Sequence, residues 1–226
     1  MLFDLRSRGR RRTVQAVYLS LAIILGGGLV LFGVGAGNGF GGILNAFTNN
    51  GSGSTQNAAV SQQETNALKA TRLRPNDPAA WSSLVQARWT SATTDGTNYN
   101  SNTQTFTTAG KKKLTELTQA WQRYLTLTKN PNANTAILAA RAYTKLGGYG
   151  NAASAWETVA AANPTAPTGF VCLALNSYAA GQERKGDLAA AKALTLEPKA
   201  NQATMKQTFK QTKGQPQAAQ QVAQQC

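Results

Sequence analysis

The chain has no histidine, only two cysteines, and nine acidic residues against 23 basic ones. Without histidine it lacks the side chain that most often serves as general base near neutral pH and as metal ligand. The cysteines, Cys172 and Cys226, lie far apart in no metal-binding spacing. Beyond Asp4 the acids (Glu64, Asp77, Asp95, Glu116, Glu157, Glu183, Asp187 and Glu197) stand singly. Glu183 and Asp187 are four apart, but both fall at the turn into a helix, where acids are ordinary. Gly26-Gly27-Gly28 has no following Lys-Ser/Thr and is no phosphate loop. No nucleophile, base or metal cluster emerges in a nameable arrangement. The expectation is therefore a non-enzyme, with no catalytic, cofactor-binding or metal residues and no cofactor.

The most consequential absence is of charge. Between Arg12 and Glu64 there is no charged side chain at all. Within that interval Val14 to Ala36 is 23 residues long, with Gln15, Tyr18 and Ser20 its polar side chains. As a helix it spans about 34 Å, enough to cross a hydrocarbon core of about 30 Å with modest tilt. A single helix satisfies its own backbone in lipid, where glycines such as Gly26–Gly28 are commoner than in soluble helices. Residues 13–36 thus read as a transmembrane helix, with its last turn near Val34. The flanking Arg6, Arg8, Arg10, Arg11 and Arg12, against Asp4, place residues 1–12 in the cytoplasm and the rest outside. The rival is a secretory signal cleaved after Val34-Gly35-Ala36, although the apolar run exceeds the usual length of about 7–15 residues. A buried helix of a soluble domain fits poorly with the arginine cluster and the glycine-rich exit.

The formal charge of +14 leaves +10 beyond residue 12. Such charge suits nucleic acid, anionic lipid or acidic wall polymers. The cations are scattered, however, with Lys111-Lys112-Lys113 the one run of three beyond the apolar stretch and no aromatics interleaved for base stacking. Nucleic acid is disfavoured, and a solvated basic surface is the simpler reading.

Residues 37–63 are rich in Gly, Asn, Ser and Gln, with Gly51-Ser52-Gly53-Ser54 as flexible-linker chemistry. From Glu64 alanine, leucine and tryptophan recur at helical spacing, punctuated by Pro75, Pro131, Pro164 and Pro198. Pro131 to Pro164 is 33 residues and Pro164 to Pro198 is 34, a period typical of stacked two-helix repeats. One unit predicts a helix over 135–145 carrying Ile137, Leu138, Ala142 and Tyr143, a break at Gly147-Gly148, and a second helix over 151–162. Asn151 would cap that second helix, with Ala152, Ala155, Trp156, Val159 and Ala160 on one side. Residues 90–110 form a Thr/Asn-rich insertion before a long helix over 111–128. There Leu114, Leu117, Trp121, Tyr124 (or Leu125) and Thr128 make one stripe.

Tyr143, Gly147, Tyr149, Ala152, Trp156 and Pro164 fall where the tetratricopeptide pattern has an aromatic, a glycine, an aromatic, a small residue, an aromatic and a proline. The unit resembles that family. The next unit matches more loosely through Leu173, Tyr178, Gly181, Leu188, Ala190, Ala193 and Pro198, and the first is the most divergent. The resemblance implies an all-α domain over 64–200, a helical-hairpin solenoid of about three degenerate repeats; an unrelated all-α bundle is the alternative. It also implies a concave groove for other proteins or peptides, with Arg88, Arg141, Lys145 and Asn176 as candidate groove residues. Arg141 and Lys145, at i and i+4, would share a face able to hold a partner carboxylate, or else be solvated surface charges.

Residues 201–226 begin with an amphipathic helix through Ala203, Met205 (or Lys206), Phe209 and Thr212, suited to covering the last repeat. The Gln-rich remainder is expected to be disordered or weakly helical. Cys172 and Cys226 allow either a disulfide or a small core residue plus a free thiol. The sequence thus points to a single-pass scaffold or assembly factor at a bacterial cell envelope. The alternatives are a basic envelope-polymer or anionic-lipid binder, and a secreted form of the same domain. N-terminal sequencing of the mature protein, with protease digestion of intact cells, checks this: an uncleaved start and an external domain are expected, whereas a start at Gly37 contradicts the anchor.

Overall fold

The computed structural model describes residues 54–226, and the transmembrane, cytoplasmic and most of the linker assignments lie outside the described residues. Residues from Gln56 to Cys226 form one compact unit. None of its helices is long and apolar enough to cross a membrane.

Helix α1 (Ser54–Leu73) starts inside the stretch expected to be a tether. Arg74 then pairs with Asp77 at 2.9 Å. Asp77 also caps helix α2 (Pro78–Thr94) by accepting from the Ala79 amide, and Pro78 fills the first position, where no intrahelical donor is needed. The Thr/Asn-rich insertion folds into a two-stranded antiparallel ribbon, β1 (Tyr99–Asn100) and β2 (Thr105–Phe106). Tyr99 faces Phe106 across it with ring centroids 4.9 Å apart. Asp95 and Asn100 use their carboxylate and amide oxygens to accept backbone amides two or three residues on. These local bonds explain why so polar a segment adopts a defined shape.

Helix α3 (Thr108–Leu127) is capped by the Thr107 hydroxyl, which accepts from the Gly110 amide. Of its apolar stripe, Leu114, Leu117, Trp121 and Tyr124 are buried while Leu125 is exposed, so the core takes Tyr124. Helices α4 (Ala133–Lys145) and α5 (Tyr149–Ala162) follow, then α6 (Pro167–Ala179), α7 (Glu183–Leu196), α8 (Lys199–Thr212) and α9 (Pro216–Ala223). Asn132 caps α4 by accepting from the Asn134 and Thr135 amides. Helix α5 begins earlier than the sequence suggests, with Gly148 at its cap, so Asn151 sits inside the helix and makes no cap bond.

Successive helices pack as pairs, α2 on α3, α4 on α5 and α6 on α7, and each pair leans on the next through α3–α4 and α5–α6. The packed helix surfaces are rich in alanine: Ala136, Ala139, Ala140, Ala152, Ala153, Ala174 and Ala193 are wholly enclosed. Small side chains let helix axes approach, and Trp121, Trp156, Tyr143 and Tyr178 fill the remaining volume. The α4–α5 and α6–α7 turns are built alike. Gly147 and Gly181, 34 positions apart, both have left-handed φ, of 78° and 71°. Around them Gly148 donates to the Tyr143 carbonyl and Gln182 to that of Ser177, both at 2.8 Å, closing the same C-terminal motif. The described residues are thus helical with one small ribbon.

Gly110 lies where a Cβ would strike the Asn98 carbonyl, a backbone group with little room to retreat. Gly110→Ala is expected to lower stability by about 1–3 kcal/mol, as over-packing does. Gly96, with open space around it, should tolerate alanine within about 0.5 kcal/mol. Urea unfolding midpoints of the two variants check this pair.

Candidate functional site

The four residues implied as groove-facing fall into two clusters. Arg88 belongs to an ion network that fastens α1 to the α2–α3 pair. Its guanidinium donates to the Glu116 main-chain oxygen at 2.7 Å, and its Nε lies 3.7 Å from Glu64 and 3.8 Å from the Glu116 carboxylate. Lys113 completes the network, 2.8 Å from Glu64. These charges are partly shielded from solvent and paired with one another, although Arg88 Nε itself makes no hydrogen bond, and the pairing suits a structural clamp better than a free binding surface.

Arg141, Lys145 and Asn176 come together at the ends of α4 and α6. Asn176 is fully buried, accepting from the Thr144 hydroxyl at 2.9 Å and donating to the Cys172 carbonyl at 2.9 Å. It ties α4 to α6 and offers nothing to solvent. Arg141 and Lys145 hold the residues that follow α9. Arg141 Nε donates to the main-chain oxygen of Cys226 at 2.8 Å, and Lys145 Nζ to that of Gln224 at 2.8 Å. Gln224 is the C-cap of α9, where the helix carries its partial negative charge, so the Lys145 cation complements the helix end while Arg141 holds the segment just beyond it. Burial, followed by the neighbouring Arg141 charge, pulls the Lys145 ammonium below its ordinary pKa.

Gln224 adds two contacts, donating to the Thr144 carbonyl at 3.1 Å and to the Tyr149 hydroxyl at 3.2 Å. Gln220 donates to the Ala179 carbonyl at 3.4 Å. On the packed side of α9, Ala219 and Ala223 are buried and Val222 is half-buried. A disulfide joins Cys226 to Cys172 on α6, with Cα atoms 5.7 Å apart. It closes a loop of 54 residues, a constraint worth about 4 kcal/mol in the chain-entropy account. The segment expected to be disordered or weakly helical is a docked helix. Its spacing carried the signal: Ala219, Val222, Ala223 and Cys226 stand at i, i+3, i+4 and i+7, after a glycine stop and a proline start.

Beside the disulfide, between α6, α8 and α9, lies a cleft of about 450 Å³ lined by Val171, Leu175, Met205, Phe209 and Val222. Across α6, Tyr178 donates to Asp187 at 2.9 Å, and Lys213 reaches the other carboxylate oxygen at 2.7 Å. The Lys213 bond, then the Tyr178 bond, hold the Asp187 carboxyl below its ordinary range. Burial, then the Asp187 bond, push the Tyr178 phenol well above its usual value. Among the described residues no three His, Cys, Asp or Glu side chains gather where they could hold a metal ion.

No protein-family model matches the chain, and no curated protein matches it significantly. The functional reading therefore rests on the face that α4 and α6 present to α9.

Tyr178 is kept neutral in the folded state, and Tyr143 is shifted the same way by burial. A raised phenol contributes stability that is complete below its unfolded value of about 10 and is lost as pH rises above it. Urea midpoints should fall between about pH 9 and about pH 11, and fall less steeply in Tyr178→Phe. An unchanged slope in that variant would contradict the assignment.

Proposed function

We propose that the protein is a membrane-anchored interaction scaffold or assembly factor whose tetratricopeptide-like domain is exposed outside the cytoplasmic membrane. The observation that carries this reading is the seating of α9. A face built from α4 and α6 already accommodates a short helix, through small side chains beneath it and two cations on the main-chain oxygens just past its C-terminus. A surface of that make is suited to a helical or peptide segment of another protein, the helix-in-groove mode of recognition.

The solenoid interpretation draws support from the paired packing of α2–α7, the matching turns at Gly147 and Gly181, and the proline period. Terminal units of stacked repeats need a covering element, and α8 supplies one, with Phe209 and Thr212 buried. Placement at a membrane rests on residues 13–36 and the arginines before them. A disulfide within the domain agrees with an oxidising compartment outside the cytoplasm.

The test is capture of partners by the full chain in detergent-solubilised membranes with the Cys172–Cys226 disulfide reduced, compared with an Arg141→Glu, Lys145→Glu double variant treated alike. Loss of specific capture by about tenfold or more is expected, since both charges are reversed at the contact. Capture that survives the reversal but dissolves steeply between low and moderate salt would contradict the groove and point to charge-driven binding of an envelope polymer or lipid.

A further inference from the structure

The face proposed for a partner is occupied in this structure by the chain's own residues 216–226. We infer, building on the interaction face proposed above, that α9 is a displaceable self-ligand, that the Cys172–Cys226 disulfide locks it in place, and that reduction opens the face to a partner helix of similar chemistry.

Several observations converge on this. Helix α9 has eight residues, too few to persist alone in water, and its cap residue Gln215 makes no side-chain hydrogen bond. It contributes none of the largest fully buried side chains; those lie on α2–α4, α5, α6 and α8. Its packed side consists of Ala219, Val222 and Ala223, which remove little apolar surface from water. What holds it is therefore concentrated at one end, in the disulfide and in the Arg141, Lys145 and Gln224 hydrogen bonds. The hinge is equally simple: Gly214, with a left-handed φ of 68°, joins α8 to α9. The cleft beside the disulfide exposes one flank of the contact.

Cys226 is half-buried and Cys172 is buried, so an incoming thiolate meets the Cys226 sulfur first. The reductant is a dithiol protein or a pair of small thiols. Its thiolate attacks Cys226 Sγ, the S–S bond breaks and Cys172 leaves as a thiolate that takes up a proton. The second thiol then displaces Cys226, which is also protonated. Two electrons and two protons have passed to the cysteines, and the donor departs as a disulfide.

Once α9 swings away, Arg141 and Lys145 lose their main-chain acceptors, and Leu175 and Ala179 of α6 lose their cover. The partner that fits is a short helix with alanine-sized residues at i and i+4, a branched apolar residue between them at i+3, and free main-chain oxygens just past its C-terminus for the two cations.

The experiment is hydrogen exchange on the full chain in detergent micelles, oxidised, reduced, and as Cys226→Ser. Amides of 219–223 should exchange about tenfold faster or more when the disulfide is absent, while those of α4 and α5 keep their protection. Equal protection of 219–223 in all three forms overturns the gate. Loss of protection throughout α4–α7 also overturns it, because the bond would then be a general staple. Partner capture is measured on the same samples. Release of α9 without any captured protein would remove the scaffold reading and leave the gate standing, and capture by the oxidised form equal to that by Cys226→Ser would overturn the gate alone.

Discussion

Close approach of helices across alanine faces is the constraint on which the rest of the domain depends. Ala139, Ala140, Ala152, Ala153 and Ala174 have essentially no exposed surface, and a Cβ on Gly169 would lie 3.2 Å from the backbone of Ala160. At such spacing the connecting turns must reverse the chain within a few residues, which the left-handed Gly147 and Gly181 allow. The aromatic residues then have fixed niches. The Tyr178 ring sits where a side chain on residue 186 would be, so that position is glycine. Dense packing of small residues gives a rigid frame, and it fixes the position of α4, whose period puts Arg141 and Lys145 on one face.

The same frame explains the electrostatics. The domain carries a large excess of cations, yet its most enclosed charges are committed. Arg88 and Lys113 are spent on Glu64 and Glu116. Arg141 and Lys145 have no acidic partner in the six ion pairs of the described residues; they are satisfied by main-chain oxygens of α9 instead. Both acceptors lie past Ala223, the last residue of α9, so the two cations hold the segment that follows the helix. At the Arg88 cluster, by contrast, breaking a pair would strand a shielded charge.

Much of the local structure was legible in the sequence, because turns and amphipathic stripes are short-range. The α4–α5 unit, its Gly147 break and the buried Trp156 were all readable from spacing. Asn151 was misread as a cap because a polar residue at a helix start is a strong prior, whereas the preceding Gly148 ends one motif and begins the next helix. The ribbon inside the 90–110 insertion left no strand signal because its strands are two residues long and its order comes from Asx-type bonds. Long-range pairings were not legible: nothing near Arg88 names Glu64 or Glu116 as its neighbours. The tail was read by its glutamine content, which masked the period of its four small or apolar residues. Residues 13–36, the strongest signal in the sequence, lie outside the described part of the chain, and the anchor therefore remains a proposal.

The central claim is that the α4–α6 face receives a helix, its own or another's. Tyr149, whose hydroxyl accepts from Gln224, reports on that contact directly. Replacing it with a photoreactive phenylalanine analogue in the full chain, in native membranes, and mapping the cross-links tests the claim. The account predicts adducts within residues 216–226 when the disulfide is intact, and adducts on a second protein when Cys226 is serine. Adducts on neither, in either form, would contradict it.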